Sequence, residues 1–154
     1  MKKVLIALDY SPTAKKIADV GFSIAKAMEA EVTLLHVLSN PVFYSSALYD
    51  PIMGFTGYPE FDPNMVNVND MLKSSSELFL EKTKEHLGDS KIKTIVVEGD
   101  YAKAILKTAK DIKADLVVIG THSQKWLEKI LIGSTTEDVL YNSTIPLLIV
   151  PTKK

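Results

Sequence analysis

Five short runs rich in apolar and β-branched residues punctuate the chain: VLIAL at 4–8, VTLLHV at 32–37, TIVV at 94–97, LVVI at 116–119 and LLIV at 147–150. Each is close to continuously apolar instead of alternating. A strand with one wet face alternates; a strand covered by helices on both faces does not need to. Between the runs the period changes to that of a helix. Residues 13–29 set Ile17, Val20, Gly21, Ile24 and Met28 at helical spacing, with Ser11 as N-cap and Pro12 as first helical residue. Residues 68–87 carry Met71, Leu72, Leu78, Phe79 and Leu87 and stop at Gly88. Residues 100–112 carry Ala102, Ile105, Leu106, Ala109 and Ile112 behind Gly99-Asp100. A last helix is predicted over 134–143, opened by a cluster of hydroxyls. Strand and helix alternate, which predicts an α/β fold with a parallel sheet.

The chain has 154 residues, a length that suits one domain over 1–154 with a full layered core. A formal net charge of −1 leaves no basic field for nucleic acid or an anionic membrane. With no cysteine, disulfides, thiolate catalysis and cysteine-based metal sites all drop out. The opening MKKVLIALDYSP mimics a signal peptide, yet its apolar stretch is short and Asp9 ends it. No window is long enough to insert in a membrane. A soluble, cytoplasmic protein is expected.

Residues 39–64 break the alternation. This stretch is rich in proline and holds half of the chain's aromatic residues. Loops this long are uncommon and often cover a site or a partner surface. Three readings stand: an ordered flap on its own domain or on a second subunit, a lid touching a ligand, or local disorder.

In an open parallel sheet, ligands bind beyond the carboxyl ends of the strands, where strand order reverses. The strand ends here offer Asp9 after the first run, His36 and Val37 in the second, and Gly120 after the fourth. Asp9 is either a turn residue or a carboxylate that accepts from a ribose or a base edge. Gly133-Ser134-Thr135 is either a capped helix start or a phosphate cradle: glycine permits close approach, and hydroxyls and first-turn amides donate to anions. His122 borders the same crevice and is within reach of a phosphate. His36 reads as a satisfied core histidine and His86, in the charged KTKEHLG, as solvated. The three histidines form no metal-ligand set. Trp126, Leu127, Ile130 and Leu131 have the spacing of a sheet-covering helix. Phosphate-loop, dinucleotide, nucleophile-elbow and zinc-protease motifs are all missing from the sequence. No nucleophile stands beside an obvious base, so no catalytic residue is assigned.

In order along nearly its whole length, the chain resembles the universal stress protein family. The likeness is carried by KVLIALDYSPTA, LLHV, VEGDYAKAIL, ADLVVIGTHS and ILIGSTTEDVLYNSTIPLLIVP. The nucleotide-binding branch of that family carries G-x2-G-x9-G-[ST]. Here that spacing is kept as Gly120, Ser123 and Gly133-Ser134. The resemblance implies a doubly wound, Rossmann-like five-stranded sheet of order 3-2-1-4-5 with helices on both faces. It implies that the backbone at Ala7 and Leu8, the Asp9 carboxylate and the Val37 backbone surround adenine and ribose. Gly120 would lie under the ribose, with Ser123, Gly133, Ser134 and Thr135 along the phosphates. It also implies a homodimer through the last strand, 146–150, which begins at Pro146. Two positions depart from the pattern: Ser123 replaces the middle glycine, and Gln124 stands where a basic residue is frequent. Losing that cation weakens triphosphate binding more than monophosphate binding.

The expected function is a dimeric regulatory module that binds ATP or AMP, with any Mg²⁺ held through the phosphates and a protein partner that the sequence does not name. A slow ATPase or phosphoryl-transfer enzyme with Ser134 or Thr135 as acceptor is one rival. A nucleotide-free interaction protein is the other.

Overall fold

The computed structural model describes residues 1–38, 68–121 and 134–152. The 39–64 segment, His122, Ser123, Gln124, the Trp126–Leu131 pattern and Gly133 lie outside the described residues. The strands are β1 (Lys3–Leu8), β2 (Glu31–Leu38), β3 (Lys93–Glu98), β4 (Leu116–Gly120) and β5 (Leu147–Val150). The helices are α1 (Ala14–Ala27), α2 (Val68–Leu87), α3 (Tyr101–Asp111) and α4 (Ser134–Asn142). All strand pairings are parallel, in the order β3-β2-β1-β4-β5. The expected doubly wound sheet is the one observed.

The pleat sorts the apolar runs into two cores. Val4, Ile6 and Leu8 of β1 join Leu34, Val118 and Val150 under α1 and α2, with Ile17, Phe79 and Leu80. Leu5 joins Leu35, Val37, Val117 and Ile119 under α3 and α4, with Ile105, Ala109 and Val139. Continuous apolar sequence is thus explained: odd and even residues of each inner strand both meet a helix layer. β3 is half-buried at its four central residues and exposed at Lys93 and Glu98, as an edge strand should be.

Small side chains bring α1 close to the sheet. Its buried residues are Ala14, Ile17, Ala18, Gly21 and Ala25. A Cβ on Gly21 would sit 2.8 Å from the Ile6 side chain. The predicted stripe is therefore rotated: Ile24 is 39% exposed, and alanines take the inner face. On α2 the buried face includes the hydroxyls of Ser76 and Thr83, which donate to the Leu72 and Phe79 carbonyls one turn back. Those bonds let polar residues face a core without an unpaired donor.

The helix ends follow local chemistry. Asp100 caps α3 by accepting from the Lys103 amide at 3.0 Å, as its sequence position predicts. Gly99 before it has φ 140°, a conformation open almost only to glycine, and Gly88 ends α2 at φ 71°. The start of α1 differs from expectation. Thr13 is the N-cap and makes no side-chain cap bond, and the Ala14 amide donates to the Ser11 carbonyl at 3.1 Å. Pro12 thus occupies the second position of a turn, where its fixed φ fits equally well. Glu29 and Lys113 both adopt left-handed φ (52° and 56°). In each case the next residue, Ala30 or Ala114, donates back into the helix, to Ala25 or Ala109. The α1–β2 and α3–β4 crossovers therefore share one closing motif.

Candidate functional site

Strand order reverses between β1 and β4, so the crevice of this fold opens beyond Leu8 and Gly120. β1 runs into a tight corner there. The Asp9 carboxylate accepts from the Ser11 amide at 3.0 Å, and the Ser11 hydroxyl lies 2.9 Å from that of Thr13. Asp9 is half-buried. The turn reading of Asp9 is thus realised. Ala7 faces the α3–α4 side together with buried Val37, while Leu8 faces the α1–α2 side.

On the other flank, β4 ends in Gly120, whose glycine has a packing cause. A Cβ there would lie 2.3 Å from the Ile17 Cδ1 and 3.0 Å from the Thr152 Cγ2. The Gly120 carbonyl accepts from the Thr136 hydroxyl at 3.0 Å. Thr136 is buried in the first turn of α4. This bond pins the start of α4 to the end of β4 and brings Gly120, Ser134 and Thr135 into one neighbourhood. Ser134 is exposed and Thr135 half-buried. Beyond the strands, the Thr121 amide donates to the Val150 carbonyl, and the Thr152 amide to the Thr121 hydroxyl, both at 3.0 Å. The Thr152 hydroxyl also donates to the Thr121 carbonyl. The floor of this corner is therefore cross-linked.

Chemically, the corner combines a carboxylate acceptor at the β1 end with hydroxyls and first-turn amides at the α4 end. A helix N-terminus carries partial positive charge and unpaired N–H groups, which suit an anion. Among the described residues, no group of three or more His, Asp or Glu side chains could hold a metal ion.

Sequence reasoning missed Thr136 and the Thr121–Thr152 pair; only their placement near strand and helix ends hinted at a role. It also read His36 as satisfied. The Nδ1 of His36 bonds the Leu8 carbonyl at 2.8 Å, but its Nε2 is buried with no hydrogen-bond partner among the described residues. Burial holds the His36 pKa below the ordinary histidine value, against smaller opposing effects of that bond and of Asp9. His86 is not merely solvated: its Nε2 lies 2.8 Å from the Asp19 carboxylate, tying α2 to α1.

Among the described residues, no helix is long and apolar enough to cross a membrane. The profile of the universal stress protein family matches residues 1–151. Universal stress protein MJ0577 of Methanocaldococcus jannaschii is 33% identical over 159 aligned positions, spanning 99% of this chain and 96% of that protein. Universal stress protein YxiE of Bacillus subtilis is 31% identical, across 96% of this chain and 97% of its own length. The solved structure of the Methanocaldococcus protein superposes with a TM-score of 0.72 at 28% identity, covering 99% of this chain and 97% of that one. A universal stress protein solved in complex with cAMP superposes with a TM-score of 0.69 at 20% identity, covering 99% and 98%. With matching sequence, strand order and backbone, the chain belongs to the universal stress protein family.

Proposed function

We propose that the chain binds an adenine nucleotide, ATP or AMP, at the β1–β4 corner and acts as a dimeric ligand-sensing regulator in the cytoplasm. The observation that carries this reading is the Thr136–Gly120 bond, which fixes the donor-rich start of α4 beside the end of β4. In this reading Asp9 accepts from the ribose, and the Ala7, Leu8 and Val37 backbone borders the adenine. Ser134 and Thr135 donate to the phosphates together with Ser123 and Gly133, and Gly120 lies beneath the sugar. Any Mg²⁺ is held through the phosphates. The dimer forms along β5, an edge strand whose Leu147, Leu148 and Ile149 remain only half-buried. An apolar edge left uncovered invites uncontrolled pairing, and a second copy removes that hazard.

A nucleotide-free interaction protein is the second reading, favoured by the Ile17 side chain that fills the space beside Gly120. A melting series with ATP, ADP, AMP, GTP and cAMP, with and without Mg²⁺, separates the two. Ligand at about a hundred times its Kd adds roughly 2.7 kcal/mol, a shift of several degrees for a chain of this size. Stabilisation by adenine nucleotides supports binding. No shift with any of them favours the second reading.

A further inference from the structure

The most unusual polar group in the described residues is His36. It lies opposite Leu8 on β1 and Val96 on β3, and is 1% exposed. Its ring packs 4.4 Å from that of Tyr10 and 5.8 Å from that of Phe79, centroid to centroid. Tyr10 and Phe79 stand 5.1 Å apart, so among the described residues these three rings cluster between the β1–α1 corner and α2. The Tyr10 hydroxyl is 2.7 Å from the Ser76 Oγ. Since Ser76 spends its own proton on the Leu72 carbonyl, Tyr10 is the donor.

Proton positions on His36 follow from its partners. A carbonyl can only accept, so Nδ1 carries hydrogen and donates to Leu8. The neutral ring then has a bare lone pair at Nε2, buried and unpaired among the described residues. A proton added there would make a buried cation with no acceptor among the described residues, which is strongly unfavourable in place. Among the described residues, Asp9 is the charged group that acts on this ring; α2 brings Phe79 to it and Ser76 to Tyr10, β3 places Val96 opposite, and Tyr10 is neutral with its pKa raised by burial.

The structure assigns to His36 the role of a proton-sensitive positioning residue for the corner at residues 8–11. As the neutral ring it holds the Leu8 carbonyl, and with it the turn that presents Asp9 to the crevice. As the cation it leaves the cluster, the Leu8 carbonyl loses its donor, and the corner is released. Nucleotide affinity therefore weakens on acidification. This inference rests on the nucleotide-binding reading for its ligand, but the hold on the corner does not.

The experiment follows labelled wild-type protein from pH 8 to pH 5 by NMR, first without ligand and then in AMP titrations, beside His36→Asn. Asparagine keeps a donor for the Leu8 carbonyl and cannot titrate. Without ligand, the amides of Leu8, Asp9, Tyr10 and Ser11 should move with the protonation of the His36 ring in wild type and stay still in the variant. Protonation of the AMP phosphate is common to both proteins and cancels in the affinity ratio. That ratio, wild type to variant, should fall by as much as about tenfold per pH unit below the midpoint if the cation does not bind. A ring that titrates while those amides do not move overturns the positioning role. A ratio constant from pH 8 to pH 5 overturns the control of affinity. If AMP does not bind at any pH, the binding reading fails, and the ligand-free amides still decide the positioning role. Should His36→Asn not fold, the wild-type ring and amide titrations decide it alone.

Discussion

Replacing Gly120 with alanine tests why β4 ends in glycine. The Gly120 φ is not left-handed, so a side chain costs no backbone strain there. The cost is steric. The new Cβ would stand 2.3 Å from the Ile17 Cδ1, 3.1 Å from the Ile17 Cγ1 and 3.0 Å from the Thr152 Cγ2. Ile17 is 3% exposed between α1 and the sheet, so its terminal carbon has little room to swing away. Overpacking of this kind costs about 1–3 kcal/mol. Ile17→Val alone removes the clashing carbon and costs about 0.5–1.5 kcal/mol as a small cavity. In combination the cavity receives the new methyl, so the double variant should be more stable than the sum of the singles by about 1 kcal/mol or more. Urea unfolding of the four proteins measures all terms in one cycle. Additive effects, or a Gly120→Ala change below about 0.5 kcal/mol, would refute the packing explanation. AMP binding by the double variant adds a second readout: recovery there means that the glycine serves Ile17, while persistent loss means that the backbone itself must meet the ligand.

Other perturbations have defined directions. Asp100→Ala should destabilise by about 1 kcal/mol through loss of the α3 cap, with Asp100→Ser retaining most of it, read by urea unfolding. Glu29→Gly and Lys113→Gly should each stabilise by about 0.5–1 kcal/mol, because relief of left-handed strain outweighs the added freedom of the unfolded chain. The folded-state pKa of His36 is depressed, so the unfolded chain binds the proton more tightly. Its contribution is therefore whole above the ordinary value and is lost as pH falls through the folded pKa. Stability should drop there by up to about 1.4 kcal/mol per pH unit in wild type relative to His36→Asn. Ser123→Gly, which restores the family pattern, should bind AMP as tightly as wild type or more tightly, by calorimetric titration.

The strands were legible because burial on both faces writes itself as unbroken apolar sequence; the five runs fall on β1 to β5 with ends shifted by a residue or so. Asp100 and Gly88 were legible because capping is local chemistry. Strand order was not contained in any single run and came only with the family likeness. Ile24 misled because hydrophobic spacing cannot show that a helix approaches on its alanine and glycine face. Ser11-Pro12 misled because proline fits a turn and a helix start equally well. His36 and Gly120 show a deeper limit. Whether a buried nitrogen has a partner, and whether a glycine serves a ligand or a neighbouring isoleucine, depends on residues far away in the chain.

Mapping amide shifts on titration with AMP and with ATP bears most directly on the proposed site. Binding at the β1–β4 corner should move Asp9, Tyr10, Gly120, Thr121, Ser134, Thr135 and Thr136 together, with α2 and β3 beyond the His36 cluster responding weakly. Silence at both flanks, or movement at Asp9 without Ser134 and Thr135, would contradict a single pocket shared by the two corners.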